Sequence, residues 1–430
     1  MGDTPQPGGP EDPDDPDDSS PRADSPFPGI PGFPFGGGGL DIADLMRMLQ
    51  SEGPVNWDIA GQVSSWVALD GGVERPVDPA DREQLAELVR AAQTHVVAET
   101  GLAASFAVPM QVLTPKAWAD LHLDALRVVL EALATTLGDA MRGDEDEPRG
   151  DTLQDPTLEA ESMEGAAFDM EMFAGMLPML APVLLGMQAG SMIGYLAQHA
   201  LGRYDLPLPT SDAPSLCFVV QNLDAFEEAW SLPRADLRFY CALHEVTHAA
   251  QRSVPWVQQR LVELATRYVS SYEIDPSAFE AEFGIIDPTD PSSMSGIAEH
   301  PEALLGAMQS PRQQALLEEL QLFTSVLEGY TDSVLERIGR KLVPTFNQIH
   351  EAMKRHRVER GEAARFIEGL LGLKLDREHY EQGEAFCQGV LERAGPEGLN
   401  RLWTRASMLP TRPELEAPGL WLARIDLPEG

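Results

Sequence analysis

His244-Glu245-Val246-Thr247-His248 is the stretch whose reading decides the fold. On an α-helix, residues four apart share one face, so His244 and His248 can reach the same metal ion. Glu245 sits beside that ion, where its carboxylate can take the proton of an attacking water. Two imidazoles and a neighbouring carboxylate are the donor set and base of a zinc hydrolase.

Working outward, Leu237, Tyr240, Cys241, His244 and His248 lie on one mostly apolar helical face. Pro233 suits the first turn of that helix and Pro255 stops it. Cys241, one turn before His244, reads as a small core residue, because a fourth protein ligand would close the open position of a catalytic site. A third ligand must come from elsewhere. In the continuation H-E-x-x-H-x-x-G-x-x-H, Gln251 stands in place of Gly and Val254 in place of His, so that branch fails. The best downstream carboxylate is Glu328, on an apolar-periodic segment with Val326, Leu327, Tyr330, Val334, Leu335 and Ile338. Asp332 lies one turn further on the same face and is expected to accept a hydrogen bond from the far nitrogen of a ligand histidine. Glu336 and His300 are rivals to Glu328, but neither has an acidic partner one turn on.

HEVTH with a separate Glu-x-x-x-Asp helix resembles the gluzincin branch of the zincin metalloproteases. The long gap between the two helices is similar to that of the zincin-like metallopeptidases of type two, found in actinobacteria and their relatives. The resemblance rests on Gly53-Pro-Val-Asn-Trp57, Gly202-Arg-Tyr-Asp-Leu-Pro-Leu-Pro209, Leu243–His248, Leu327-Glu-Gly-Tyr330, Tyr380-Glu-Gln-Gly383, and Leu409-Pro-Thr411 with Trp421. It implies Zn2+ held by His244, His248 and Glu328, with Glu245 as general base, in a zincin-like fold. It gives chemistry, since the substrates of that family are not established. Tyr380 is nominated as the donor that stabilises the oxyanion, with Tyr330 and His379 as further candidates.

The predicted fold class is mainly α (α+β): the HExxH helix, a small sheet beside the cleft and a large helical body. With 430 residues, 43% of them hydrophobic, the chain can bury a sizeable core. A net charge of -38 and a pI near 4.4 argue against nucleic-acid binding and against anionic membranes. Residues 1–39 read as a disordered acidic tail rich in Pro and Gly, and 40–430 as one metalloprotease domain interrupted by a flexible acidic loop over 141–165. Three cysteines without C-x-x-C spacing imply no disulfide framework, and no signal peptide is legible. A cytoplasmic protein is expected, acting on a peptide or protein; its oligomeric state is not legible.

Helices are expected over 40–50, 58–69, 78–100 and 114–137. Residues 172–198 carry no charge and match a membrane span in length. Pro178, Pro182 and glycines at 186, 190 and 194 point instead to buried helices, broken near Pro182, with a closely approaching neighbour. Ser215–Asn222 reads as the clearest strand, bordering the cleft and suited to pairing with extended substrate. Further helices are expected over 256–270, 276–282, 312–339, 343–356, 361–370 and 378–394. The readings that compete with a zinc peptidase are a zinc hydrolase of a non-peptide amide or ester, and an inactive zinc-stabilised binding protein.

Overall fold

A computed structural model describes residues 53–102, 108–142, 181–210, 213–273, 310–358 and 361–427. The expected tail, the helices over 40–50 and 276–282, and His300 lie outside them, as does the acidic loop beyond Arg142. Within them the chain is helical apart from one small sheet. The helices are α1 (Trp57–Ala68), α2 (Pro79–Thr100), α3 (Pro115–Ala125), α4 (Arg127–Arg142), α5 (181–199), α6 (Val220–Ala229) and α7 (Arg234–Arg252). They continue with α8 (Pro255–Val269), α9 (Pro311–Leu342), α10 (Phe346–Val358), α11 (Glu362–Leu370), α12 (Arg377–Asn400), α13 (Arg412–Glu416) and α14 (Pro418–Asp426). Strands β1 (Met110–Leu113) and β2 (Leu216–Val219) pair in parallel.

Local chemistry sets the helix ends. Asn56, Asp78, Thr114 and Ser310 accept N-terminal amide bonds of α1, α2, α3 and α9, and proline opens the last three. Gly101 closes α2 at φ 64. The helix expected over 114–137 is divided at Leu126, whose backbone sits near φ -94, ψ -1, giving α3 and α4. In α12, Gly395 at φ 66 followed by Pro396 interrupts the helix.

Two backbone crossings fix the packing. In α5 a Cβ on Gly186 would lie 2.3 Å from the Asn56 carbonyl oxygen, one on Gly190 2.4 Å from that of Ala60, and one on Gly194 2.6 Å from Val67 Cβ. The three glycines therefore let α5 lie directly on α1. No described helix is long and apolar enough to cross a membrane. The second crossing joins α9 to α12: a Cβ on Gly329 would fall 2.2 Å from the Gly383 carbonyl carbon, and one on Gly383 2.1 Å from the Ser325 oxygen. The glycines of Leu-Glu-Gly-Tyr and Tyr-Glu-Gln-Gly are thus two halves of one contact.

The predicted strand over Ser215–Asn222 is shorter than expected, because Val220 already starts α6 and the Asn222 side chain donates to the Ala197 and Ala200 carbonyls. Both edges of β2 are taken. The Leu216 amide donates to Pro109 on the β1 side, and the Val219 amide to Leu201 on the other, where Gly202 bridges Phe218. β2 is wholly buried, so strand addition to it, as anticipated for a substrate, is blocked on both sides.

Candidate metal centre

Helix α7 runs through the core, and every residue from Tyr240 to Arg252 is buried. Its polar side chains must therefore find partners inside the protein. The Thr247 hydroxyl donates to the Leu243 carbonyl. Gln251 reaches across to α9, donating to the Leu327 carbonyl at 2.9 Å and accepting from the Thr331 hydroxyl at 3.2 Å. The residue that breaks the H-x-x-G-x-x-H continuation thus ties the histidine helix to the peptide just before Glu328.

That contact brings His244, His248 and Glu328 together. One ligand atom from each lies within 4.8 Å of the others, and all three residues are buried. His248 Nε2 stands 3.6 Å from Glu328 Oε1, too long for a hydrogen bond, and among the described residues neither ring nitrogen of His248 has a partner at hydrogen-bond geometry. A buried imidazole with an unpaired nitrogen facing a carboxylate is costly unless something lies between them. Two donors bound tetrahedrally to one zinc ion stand about 3.3 Å apart, close to the separation here. Burial, reinforced by His244, Arg252 and Arg357, pushes the His248 pKa well below its usual range, leaving the neutral imidazole that a metal requires. The residues fit the ion.

Glu245 is positioned by backbone. Its carboxylate accepts from the Arg203 amide at 3.0 Å and the Tyr204 amide at 2.9 Å, and one oxygen lies 3.8 Å from His244 Nδ1. The donors belong to the Gly202–Pro209 motif. A Cβ on Gly202 would sit 2.5 Å from a Glu245 carboxylate oxygen, so the loop closes only over glycine. The indole of buried Trp118 fastens the loop by donating to the Gly202 carbonyl at 2.8 Å.

Asp332 lies beside the centre, but a ligand histidine is not its partner. Arg357, from α10, donates to both Asp332 oxygens at 2.8 and 3.3 Å and to Glu328 Oε2 at 3.2 Å. Asp332 therefore reaches the candidate donors through Arg357 and Glu328, not through an imidazole. Burial would raise the Asp332 carboxyl, but the Arg357 guanidinium overrides it and holds the pKa below the usual range. Nothing in the sequence marked Arg357.

The remaining candidates separate. Tyr380 is half-buried, with the Arg357 guanidinium 5.4 Å from its ring centre, at the margin of the centre. Tyr330 is a core residue: its hydroxyl donates to Asn400 and its ring packs edge-on against Trp403. His379 bonds Asp376 at the exposed start of α12, and Glu336 pairs with Arg340. Cys241 is a buried free thiol outside the ligand group.

Two groups near the centre escaped notice in the sequence. The Tyr204 ring packs against His248 with centroids 5.8 Å apart, and its buried hydroxyl has no hydrogen-bond partner among the described residues. Burial raises its pKa far above the usual phenol range, so it remains a donor. Arg252, one turn after His248, is buried with Nε and Nη2 unpaired and its guanidinium 5.6 Å from the Tyr204 ring centre. Tyr204 lies inside the Gly202–Pro209 motif, but nothing local says which way it faces.

A family model of zincin-like metallopeptidases matches residues 55–422. The chain is also similar to a protein from Chloroflexus aurantiacus, proposed to be a hydrolase with a novel fold, whose crystal structure it matches with a TM-score of 0.57 and 26% identity over 87% of this chain and 100% of that one. No curated protein matches. That family implies a divalent metal, and the three buried donors are where this chain can hold one. With a match spanning most of its length, the chain belongs to the zincin-like metallopeptidase family.

Proposed function

We propose that this protein hydrolyses peptide bonds, with zinc held by His244, His248 and Glu328 and with Glu245 as general base. The observation that carries the reading is the Glu245 carboxylate, fixed by two backbone amides beside three buried ligands. A purely structural zinc site fills its fourth position with protein and has no use for a base. When bound, zinc supplies Lewis acidity that polarises a carbonyl and makes water acidic near neutral pH. The two amides orient the Glu245 oxygens. Glu245 accepts the proton of the attacking water and returns it to the leaving amine.

The oxyanion needs a donor that survives burial. Tyr204 supports that role better than Tyr380, because its unpaired hydroxyl is buried and its ring lies against His248. Arg252 contributes positive charge from the same side. The three cysteines are free and buried, which fits residence in the reducing cytoplasm.

The test compares zinc content and turnover of a mixed peptide library by wild type and Glu245→Gln. The variant should keep its zinc and lose on the order of 10²–10⁴-fold in turnover. Cleavage of small esters or amides without peptides would move the assignment to a non-peptide hydrolase. Zinc binding with no turnover of any kind would leave a binding protein.

A further inference from the structure

A second set of metal donors lies apart from the first. Glu336 on α9, His350 on α10 and Glu384 on α12 each place one ligand atom within 4.8 Å of the others. His350 is 8% exposed, and its Nε2 is buried with no hydrogen-bond partner. Its orientation is fixed from behind. Nδ1 bonds the Tyr240 hydroxyl at 2.9 Å, and the Phe346 ring stacks on the imidazole at 5.1 Å with 17° between planes. A hydrogen bond on the far nitrogen that orients the ring is how proteins hold a ligating histidine; for Nε2 to take a metal, Nδ1 carries the proton and donates to the Tyr240 oxygen. Among the described residues the carboxylates are engaged by flexible cations, Glu336 by Arg340 at 2.8 Å and Glu384 by Lys354 at 2.8 Å, in partly exposed pairs. Such pairs contribute about 0–1 kcal/mol, so a divalent ion displaces them readily.

We propose that Glu336, His350 and Glu384 form a second, structural divalent-cation site that clamps α9, α10 and α12 together. One imidazole and two carboxylates suit a borderline transition ion such as Zn2+ better than Mg2+ or Ca2+, which favour all-oxygen shells. Glu336 is two helical turns beyond Glu328, about 12 Å along α9. Paired catalytic ions stand about 3.5–4 Å apart, so this site does not share substrate with the first. Its effect runs through α10, which also carries Arg357. Fixing α10 against α9 and α12 steadies the guanidinium that grips Glu328 and Asp332. The proposal stands independently of the reading of the first centre.

The test strips the full-length protein with chelator and dialyses it against Zn2+ in excess Mg2+, which occupies the diffuse acidic charge. Wild type should retain about two zinc ions per chain, and His350→Ala and the Glu336→Gln/Glu384→Gln double variant about one each. The double variant changes two half-exposed side chains, so it remains informative if His350→Ala fails to fold. His248→Ala should remove the other ion. A wild type holding one ion that both second-site variants keep and His248→Ala loses overturns this proposal and leaves the first centre intact. One ion lost in the second-site variants but kept in His248→Ala supports this site and overturns the first.

Discussion

Gly202 and Glu245 are packed so closely that a Cβ on the glycine would meet a carboxylate oxygen at 2.5 Å, with the Cys217 carbonyl oxygen only 3.0 Å away on another side. The same loop supplies the two amides that orient that carboxylate. Gly202→Ala should therefore displace Glu245 while leaving His244, His248 and Glu328 to bind zinc. The expected result is near-normal zinc content with turnover reduced about 10²-fold, the scale of a misplacement near 1 Å at a reacting group. Parallel zinc analysis and peptide turnover check it. Equal loss of both would mean that Gly202 matters only to the fold.

Arg357 bridges Glu328 and Asp332 in a fully buried ion cluster. Arg357→Met should leave two buried carboxylates uncompensated, at a cost on the order of 3–5 kcal/mol in stability without metal. Asp332→Asn keeps a polar partner for Arg357 and should cost less. Because the guanidinium orients Glu328, zinc affinity should fall about 10–100-fold in Arg357→Met. Urea unfolding with chelator and competitive zinc titration separate the two effects. Unchanged affinity would show that Glu328 needs no support from Arg357.

Much of this arrangement was legible before the fold was known, and the limits follow from the range of each signal. Helix periodicity is local, so the helices beginning at 78 and 114, and the close approach at Gly186, Gly190 and Gly194, were legible within a few residues. His244 and His248 are four apart on one helix and carry their own geometry. The contacts that complete the centre are not local. Gln251 looked like a failed motif position, yet it reaches the Leu327 carbonyl 76 residues away. Asp332 takes its hydrogen bonds from Arg357 on another helix, a partner that no spacing around Glu328 could point to. β1 is four residues long, too short to alternate visibly, and α6 was obscured by the β-branched run that begins it.

Gly329 and Gly383 touch backbone to backbone, and Gly329 directly follows Glu328. Gly329→Ala and Gly383→Ala should each force α9 and α12 apart. The expected cost is about 1–3 kcal/mol or more. Because Gly329 is adjacent to the ligand, its variant should also weaken zinc binding, whereas Gly383→Ala should act mainly on stability. Thermal unfolding with and without zinc reads both. A larger zinc effect in Gly383→Ala would reverse the assignment.

His122 gives the fold a pH dependence that involves no metal ligand. It is fully buried, stacked on Trp118 at 3.7 Å, and its Nε2 has no partner. Burial, with the nearby Arg203 charge, lowers its pKa from 6.5 to about 3. In the unfolded chain the imidazole takes up a proton below 6.5, whereas in the fold it stays neutral down to about 3. Between those values the unfolded state binds more protons, so stability falls as pH falls. The contribution is fully present above pH 6.5 and is lost progressively toward pH 3, on the order of 5 kcal/mol in all. His122→Gln removes the titrating group from both states. In the presence of chelator its urea midpoint should decline less steeply from pH 6.5 to 4 than that of wild type, although its stability at pH 8 is lower. Parallel declines would show that His122 titrates alike in both states and that burial and the Arg203 charge do not hold it neutral.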